Sequence, residues 1–479
     1  MLNALRSYTR PRLSTGMAAC LLVGLLAAPE ASAQAPNARD LIGSWASRLE
    51  QRATELETAP RVKATKVGAG MVLKKGDGGM VDVVVPGPVQ PAQPADVPVS
   101  EAAPAVVIPA ALSAADAPVD GLPQIEAGPE PAPLVVQVRA RSADRVGRLA
   151  TRLIELGHLA PEQWTDSFDD NVEAAVRSFQ VSEGLMPDGK VGDVTRQALD
   201  RTPVQAAALM RTAVTSLRAY QANVPNTVLL VNLPSQTVTY IERGKLAFSM
   251  RAVVGRPTRQ TPLMQDRVTS VTINPTWTVP PTVLTEDKLP ILRKKGNTGI
   301  KDAIVYLDGV EVAPERINWW SVTPERIKIV QRPGDDNALG RFRFNLTNGD
   351  GIFLHGTNDP KLFDRDLRAA SSGCVRLADA RHVAETLLRA AKVDTTAIER
   401  QLESGQTKTI ALPNPVPVHF VYWTATVEPE GTVRVHPGIY DEPPAPPAPT
   451  SMAPAKRSES KTVQTLPPRP HTHVVPAAM

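Results

Sequence analysis

What most restricts folding in this 479-residue chain is where its 46 prolines fall. They crowd into 86–133 and 441–470. Proline fixes φ and removes a backbone donor, so such stretches build neither helix interiors nor central strands. Much of the length is therefore expected to be tether rather than core. A hydrophobic content of 42% still suffices for compact domains between these stretches. The net charge of +4 is mildly basic, which suits work near an anionic wall or membrane surface. No Lys/Arg run interleaves with aromatic residues, so nucleic acid is not an expected partner.

The N-terminus carries Arg6, Arg10 and Arg12, then an apolar run over 17–28, then Ala31-Ser32-Ala33 before Gln34. That order is a secretory signal peptide with its cleavage site. The run is too short to span a bilayer, and no later segment is long and apolar enough to do so. Cys20 sits at the start of the run, where a lipid-bearing cysteine would follow it. Of the two cysteines, Cys20 is expected to leave with the signal, so the exported chain keeps Cys374 alone. In an oxidising compartment, where cysteines usually pair, a lone thiol is either a buried accident or a chemical tool.

Residues 34–140 are rich in Ala, Pro and Val; Leu41, Ile42, Trp45 and Leu49 suit a short amphipathic helix, and the remainder reads as extended tether. Order is expected from Asp144. Val146, Leu149, Leu153 and Ile154 recur at helical spacing up to Gly157. Asp169 or Asp170 caps a second helix whose apolar face is Val172, Ala175, Val176 and Phe179. The turn Pro187-Asp188-Gly189 leads to a third helix with Val194, Ala198 and Leu199. From Asn226 the period falls to two: strands are expected at 228–233, 237–241, 246–254, 269–273, 328–330, 342–346 and 352–354, and a closing hairpin at 416–426 and 432–435. Residues 285–325 interrupt them with a polar, partly helical insert of the kind that forms lids.

The chemistry centres on Cys374, in Ala370-Ser371-Ser372-Gly373-Cys374-Val375-Arg376. A thiol attacks as thiolate, and an ordinary cysteine is only slightly ionised at neutral pH, so it needs a base. His355 ends the apolar strand Ile352-Phe353-Leu354 and precedes Gly356-Thr357. Taken alone it is a satisfied core histidine; beside a lone exported thiol it becomes the candidate base. The small residues Ser371, Ser372 and Gly373 let backbone N–H groups converge as an oxyanion hole requires. The seven histidines show no metal-site spacing, so no metal or cofactor is expected. A papain-like reading fails because its cysteine signature is missing and the histidine comes first.

Two resemblances sharpen this. Phe168-Asp169, Val176, Phe179-Gln180, Gly184-Leu185, Asp188-Gly189, Val191-Gly192, Thr195 and Leu199 resemble a PG_binding_1-type peptidoglycan-binding domain. His355-Gly356-Thr357 with Ser371-Ser372-Gly373-Cys374-Val375-Arg376 resembles the signature of L,D-transpeptidases with a YkuD-type domain. Asn274-Pro275, Trp277, Val279-Pro280, Pro333-Gly334, Asn337 to Gly340, Phe363 and Arg368 fit the same family. Many members have histidine where this chain has Ser372, which fits a long, lid-bearing subfamily.

The resemblance implies a multidomain chain: signal peptide 1–33, disordered Pro/Ala-rich tether 34–140, three-helix peptidoglycan-binding module 141–202, helical linker 203–225, mostly-β YkuD-like catalytic domain 226–440 with a lid insertion at about 285–325, and disordered C-terminal tail 441–479. It implies that Cys374 attacks a donor tetrapeptide stem, that His355 is general base, and that a diaminopimelate amine resolves the thioester into a 3→3 cross-link. The Gly356 carbonyl would orient the imidazole, and N–H groups at 372–374 would hold the oxyanion. Arg376, Trp277, Tyr306 and Phe353 are candidate substrate contacts, with Trp319 and Trp320 as further groove aromatics. Carbapenems are expected inhibitors and the periplasm the expected location. An L,D-carboxypeptidase, an enzyme attaching protein to the wall, and a non-catalytic wall-binding scaffold remain alternatives.

Overall fold

The structure, a computed structural model, describes residues 37–59, 64–85, 134–139, 143–394 and 396–441. The signal peptide with Cys20, the proline-rich stretch 86–133 and the tail beyond 441 lie outside the described residues.

Helix α1 (Ala38–Thr58) is the first element among the described residues, with the Asn37 side chain accepting from the Asp40 N–H as its cap. Its buried stripe of Ala38, Ile42, Ala46, Leu49 and Ala53 returns every three or four residues, the spacing of one helix face. The short helix expected around Leu41, Ile42, Trp45 and Leu49 is there and runs to 21 residues, so the expected tether is corrected over 38–58. Residues 64–79 correct it again: Val67 and Leu73 are buried in the helical module, and Leu73 bridges to Val191. Strand Met80–Val85 then pairs antiparallel with Leu134–Arg139.

The module is α2 (Ala143–Glu155), α3 (Asp170–Glu183) and α4 (Asp193–Asp200) around Leu149, Leu153, Phe168, Val176, Phe179 and Leu199. Asp169 caps α3, accepting from the Val172 N–H, and Gly184 ends it at φ +73°, a left-handed position that glycine occupies without strain. Helix α5 (Pro203–Gln221) follows and packs along α1, burying Met210, Val214 and Leu217.

The β domain runs β1 (Val228–Asn232), β2 (Thr237–Glu242), β3 (Lys245–Gly255), β4 (Gln265–Ile273), β5 (Phe342–Asn345), β6 (Leu354–His355), β7 (Ala369–Ser371), β8 (Val375–Leu377) and β9 (Lys408–Val421). Its pairings run β3-β8-β6-β5-β4-β9-β1-β2 and return from β2 to β3, so the sheet closes on itself. The closure comes from β3, whose first part pairs with β2 and whose last part pairs with β8. Strand β1 is buried on both faces, which is why its sequence is apolar without alternation. Leu229 and Val231 face the barrel core, while Val228 and Leu230 face α1 and α5. Helix α6 (Ala380–Ala390) seats Val383, Ala384, Leu387 and Leu388 in that core.

Two expected elements change shape. The insert is larger than 285–325: Trp277–Thr278, Ala303–Leu307, Val310–Glu311 and Ile327–Gln331 form a separate four-stranded sheet. It has a core of its own, with Val279, Leu284, Leu289, Leu292, Val305, Trp319 and Ile329 buried. The expected hairpin is also redrawn. Residues 416–421 belong to β9 in the main sheet, and Ala425–Val427 pairs instead with Val433–Val435.

Candidate active site

Strands β6 and β8 are parallel neighbours with Leu354 opposite Val375 and His355 opposite Arg376. Leu354, Val375 and Leu377 point into the core, so His355 and Arg376 take the other face. Cys374, two residues before Arg376, continues that face at the strand's entrance. On the far side of β6, Arg343 of β5 stands opposite His355. Arg376, His355 and Arg343 thus form one transverse row, with the imidazole between two guanidinium groups.

His355 is 4% exposed. Its Nδ1 lies 2.6 Å from the Gly356 carbonyl, to which it donates, so Nε2 carries the free lone pair. Burial, with Arg376 and Arg343 adding repulsion, pushes its pKa down to about 3. Burial pushes the Cys374 thiol up, opposed by a backbone contact from Phe353 and the charges of Arg376 and Arg343. The resting pair is a neutral imidazole and a neutral thiol. The two are not hydrogen-bonded to each other; the thiol donates to the Gly351 carbonyl at 3.6 Å.

The loop before Cys374 is tightly held. Gly373 has φ +115°, and a Cβ there would press the Ile352 Cδ1 at 3.0 Å, so the sharp approach requires glycine. Ser371 Oγ accepts from the Gly373 N–H at 3.1 Å and donates to the Cys374 carbonyl at 2.5 Å. Thr261 Oγ1 donates to the Gly373 carbonyl at 2.7 Å, and Tyr440 OH in turn reaches Gly255 and Thr261. The Gly373 N–H, expected to face an oxyanion, is thus turned to Ser371 instead.

Ser372 is exposed, and its Oγ accepts from Arg259 Nη1 at 3.1 Å. Arg259 also pairs with Asp287 at 2.9 Å and with Glu286, both in the insert, and Arg256 pairs with Asp287 at 3.1 Å. The base of the insert is therefore latched to the loop that carries Ser372 and Cys374.

The aromatic candidates divide. Phe353 lies beneath the Arg343 guanidinium at 5.0 Å and next to the site. Trp277 packs half-buried on the insert's core, and Tyr306 faces Lys328 at 5.9 Å. Trp319 is buried in that core with Nε1 donating to the Pro314 carbonyl, while Trp320 is 75% exposed. Asn274 and Asn337 are buried scaffolding, donating to the Gln401 and Pro275 carbonyls respectively. Arg368 directs its guanidinium to five backbone carbonyls, including those of Ala252 and Ser235. Arg343, Arg259 and Thr261 were not singled out from sequence, and Ser371 was named there only as a small residue before the cysteine. The one available signal for Arg343 was a charge between two core aromatics, Phe342 and Phe344.

Residues 226–396 match the family model of the L,D-transpeptidase catalytic domain, and 142–199 match that of a peptidoglycan binding domain. A Haemophilus influenzae protein that carries the name L,D-transpeptidase is 34% identical over 214 residues, covering 44% of this chain and 44% of that one. The chain thus spans less than half the length of this curated relative. Among solved structures, L,D-transpeptidase 3 from Mycobacterium tuberculosis is 14% identical, covers 41% of this chain and 61% of its own, and superposes with a TM-score of 0.22. The L,D-transpeptidase from Stackebrandtia nassauensis is also 14% identical, covers 57% and 88%, and has a TM-score of 0.21. The chain is thus similar to L,D-transpeptidases of the YkuD family over 226–396 and to peptidoglycan binding domains over 142–199.

Proposed function

We propose that the chain forms 3→3 cross-links in peptidoglycan through a thioester on Cys374, with His355 as general base. The observation that supports this reading is the pairing of β6 with β8, which puts an imidazole fixed on the Gly356 carbonyl onto the sheet face that Cys374 continues. Because both groups rest neutral, proton transfer from Sγ to Nε2 accompanies attack on the donor carbonyl, after a side-chain rotation brings thiol to imidazole. The C–S bond forms as the C–N bond to the terminal D-residue breaks, and the proton passes from His355 to the departing amine. Arg376 and Arg343 favour the negative charge in between. With the Gly373 N–H engaged, the oxyanion falls to the Cys374 N–H. A diaminopimelate amine on a neighbouring stem then resolves the thioester, and the peptidoglycan binding domain holds the enzyme on its polymer, in the periplasm.

The test is incubation with disaccharide-tetrapeptides and mass analysis of the products. Dimers joined 3→3, lost in Cys374→Ala, are expected. Tripeptides alone would move the reading to a carboxypeptidase, and unchanged substrate to a wall-binding scaffold. Carbapenems are expected to add their mass to Cys374; an unmodified intact mass after prolonged exposure would count against the nucleophile.

A further inference from the structure

Most arginines around the site have partners. Arg256 and Arg259 hold Asp287 and Glu286, and Arg368 is wrapped in carbonyls. Arg343 and Arg376 differ. No hydrogen bond or ion pair joins either guanidinium to a described residue, and the Nε of each is buried without a partner. Asp359 acts on Arg376 only through space. Two like charges flank one imidazole across adjacent strands, an arrangement that costs stability. Leaving buried donors unmade costs more. A row of this kind is built for an anion that arrives from outside.

We propose that Arg343 and Arg376 together form a subsite for the carboxylate that sits on the same carbon as the reacting amine. The inference rests on the transpeptidase reading and deepens it. In the donor, the departing D-residue has its amine and a free carboxylate on one carbon. In the acceptor, the diaminopimelate side-chain centre has the same pair. A carboxylate seated on either neighbour of His355 places that amine against the imidazole. There it receives the proton on leaving, or surrenders it on entering. One subsite therefore serves both half-reactions. Guanidinium groups suit it because their paired N–H donors match the two oxygens of a carboxylate.

The experiment compares a disaccharide-tetrapeptide ending in a free carboxylate with the same donor ending in a primary amide. Tripeptide release is followed as kcat/KM for the wild-type chain, Arg343→Gln and Arg376→Gln. Wild type is expected to prefer the acid by about 100-fold, the scale of two charge-assisted hydrogen bonds. In each variant the acid-to-amide ratio should fall about tenfold or more. Arg343→Lys and Arg376→Lys should recover part of it, because a charge remains without the fork. The ratio is internal to each variant, so a loss of folded enzyme cancels. Equal use of acid and amide by wild type would overturn the subsite while leaving the transpeptidase standing. An unchanged ratio in both variants would overturn it too, and would leave the arginines acting on the thiol alone. Turnover of neither donor by wild type would overturn the transpeptidase reading and the subsite with it.

Discussion

Acid should unfold this protein well above the carboxylate range, and His355 should be a measurable part of the reason. An unfolded histidine takes up its proton near pH 6.5, whereas folded His355 is held neutral down to about 3 and His419 down to about 4. Between those values the unfolded chain binds the extra protons, so stability is complete above about pH 6.5 and declines as pH falls. Each fully depressed histidine contributes about 1.4 kcal/mol per pH unit. His436 is likewise held down to about 3 by burial; from pH 6.5 to 4.5 the three histidines together remove about 7 kcal/mol, a large share of a typical folding free energy. Asp366 and Glu428, whose carboxyls burial pushes up, act in the opposite sense, so the contribution of His355 has to be isolated. His355→Gln keeps a donor for the Gly356 carbonyl and removes the titration. Urea unfolding followed by tryptophan fluorescence at pH 7.5, 6.5, 5.5 and 4.5 should give a variant slope shallower by about 1.4 kcal/mol per pH unit below 6.5. Superimposable slopes would mean that His355 titrates as it does in water, and the neutral buried base would have to be abandoned.

Two further outcomes follow from the packing. Leu49→Ala, which opens space between α1 and α5, should lower the unfolding free energy by about 2–4 kcal/mol, read by urea denaturation; a change under about 0.5 kcal/mol would detach α1 from the domain in solution. Arg259→Met removes the partner of Glu286, Asp287 and Ser372 together. Hydrogen exchange at 281–296 should then speed up by at least about tenfold, the loss of one charge-assisted hydrogen bond, and unchanged exchange would mean that the latch does not hold the insert.

The legible parts of the fold were those in which pattern and environment agree. Strands β2 and β5 alternate as half-buried strands do, and α3 carries both its cap and its closing glycine. Helix α1 was underestimated because three of its five buried positions are alanine, whose small side chain contributes little to an apolar pattern while allowing α5 to approach closely. The insert was misjudged because its strands are short and interrupted by charged turns, and its core forms only when Trp319 meets residues far away in sequence. In the site, Cys374 and His355 stood out by residue type. The Ser371 and Thr261 hydroxyls did not, since a hydroxyl that braces a loop has the same one-dimensional appearance as any surface serine or threonine.

The short ladder between Met80–Val85 and Leu134–Arg139 changes what the proline-rich stretch can do. Val85 and Leu134 are register partners, so whatever path residues 86–133 take, it ends where it began. Added length between those partners therefore leaves the separation of α1 from the β barrel unchanged.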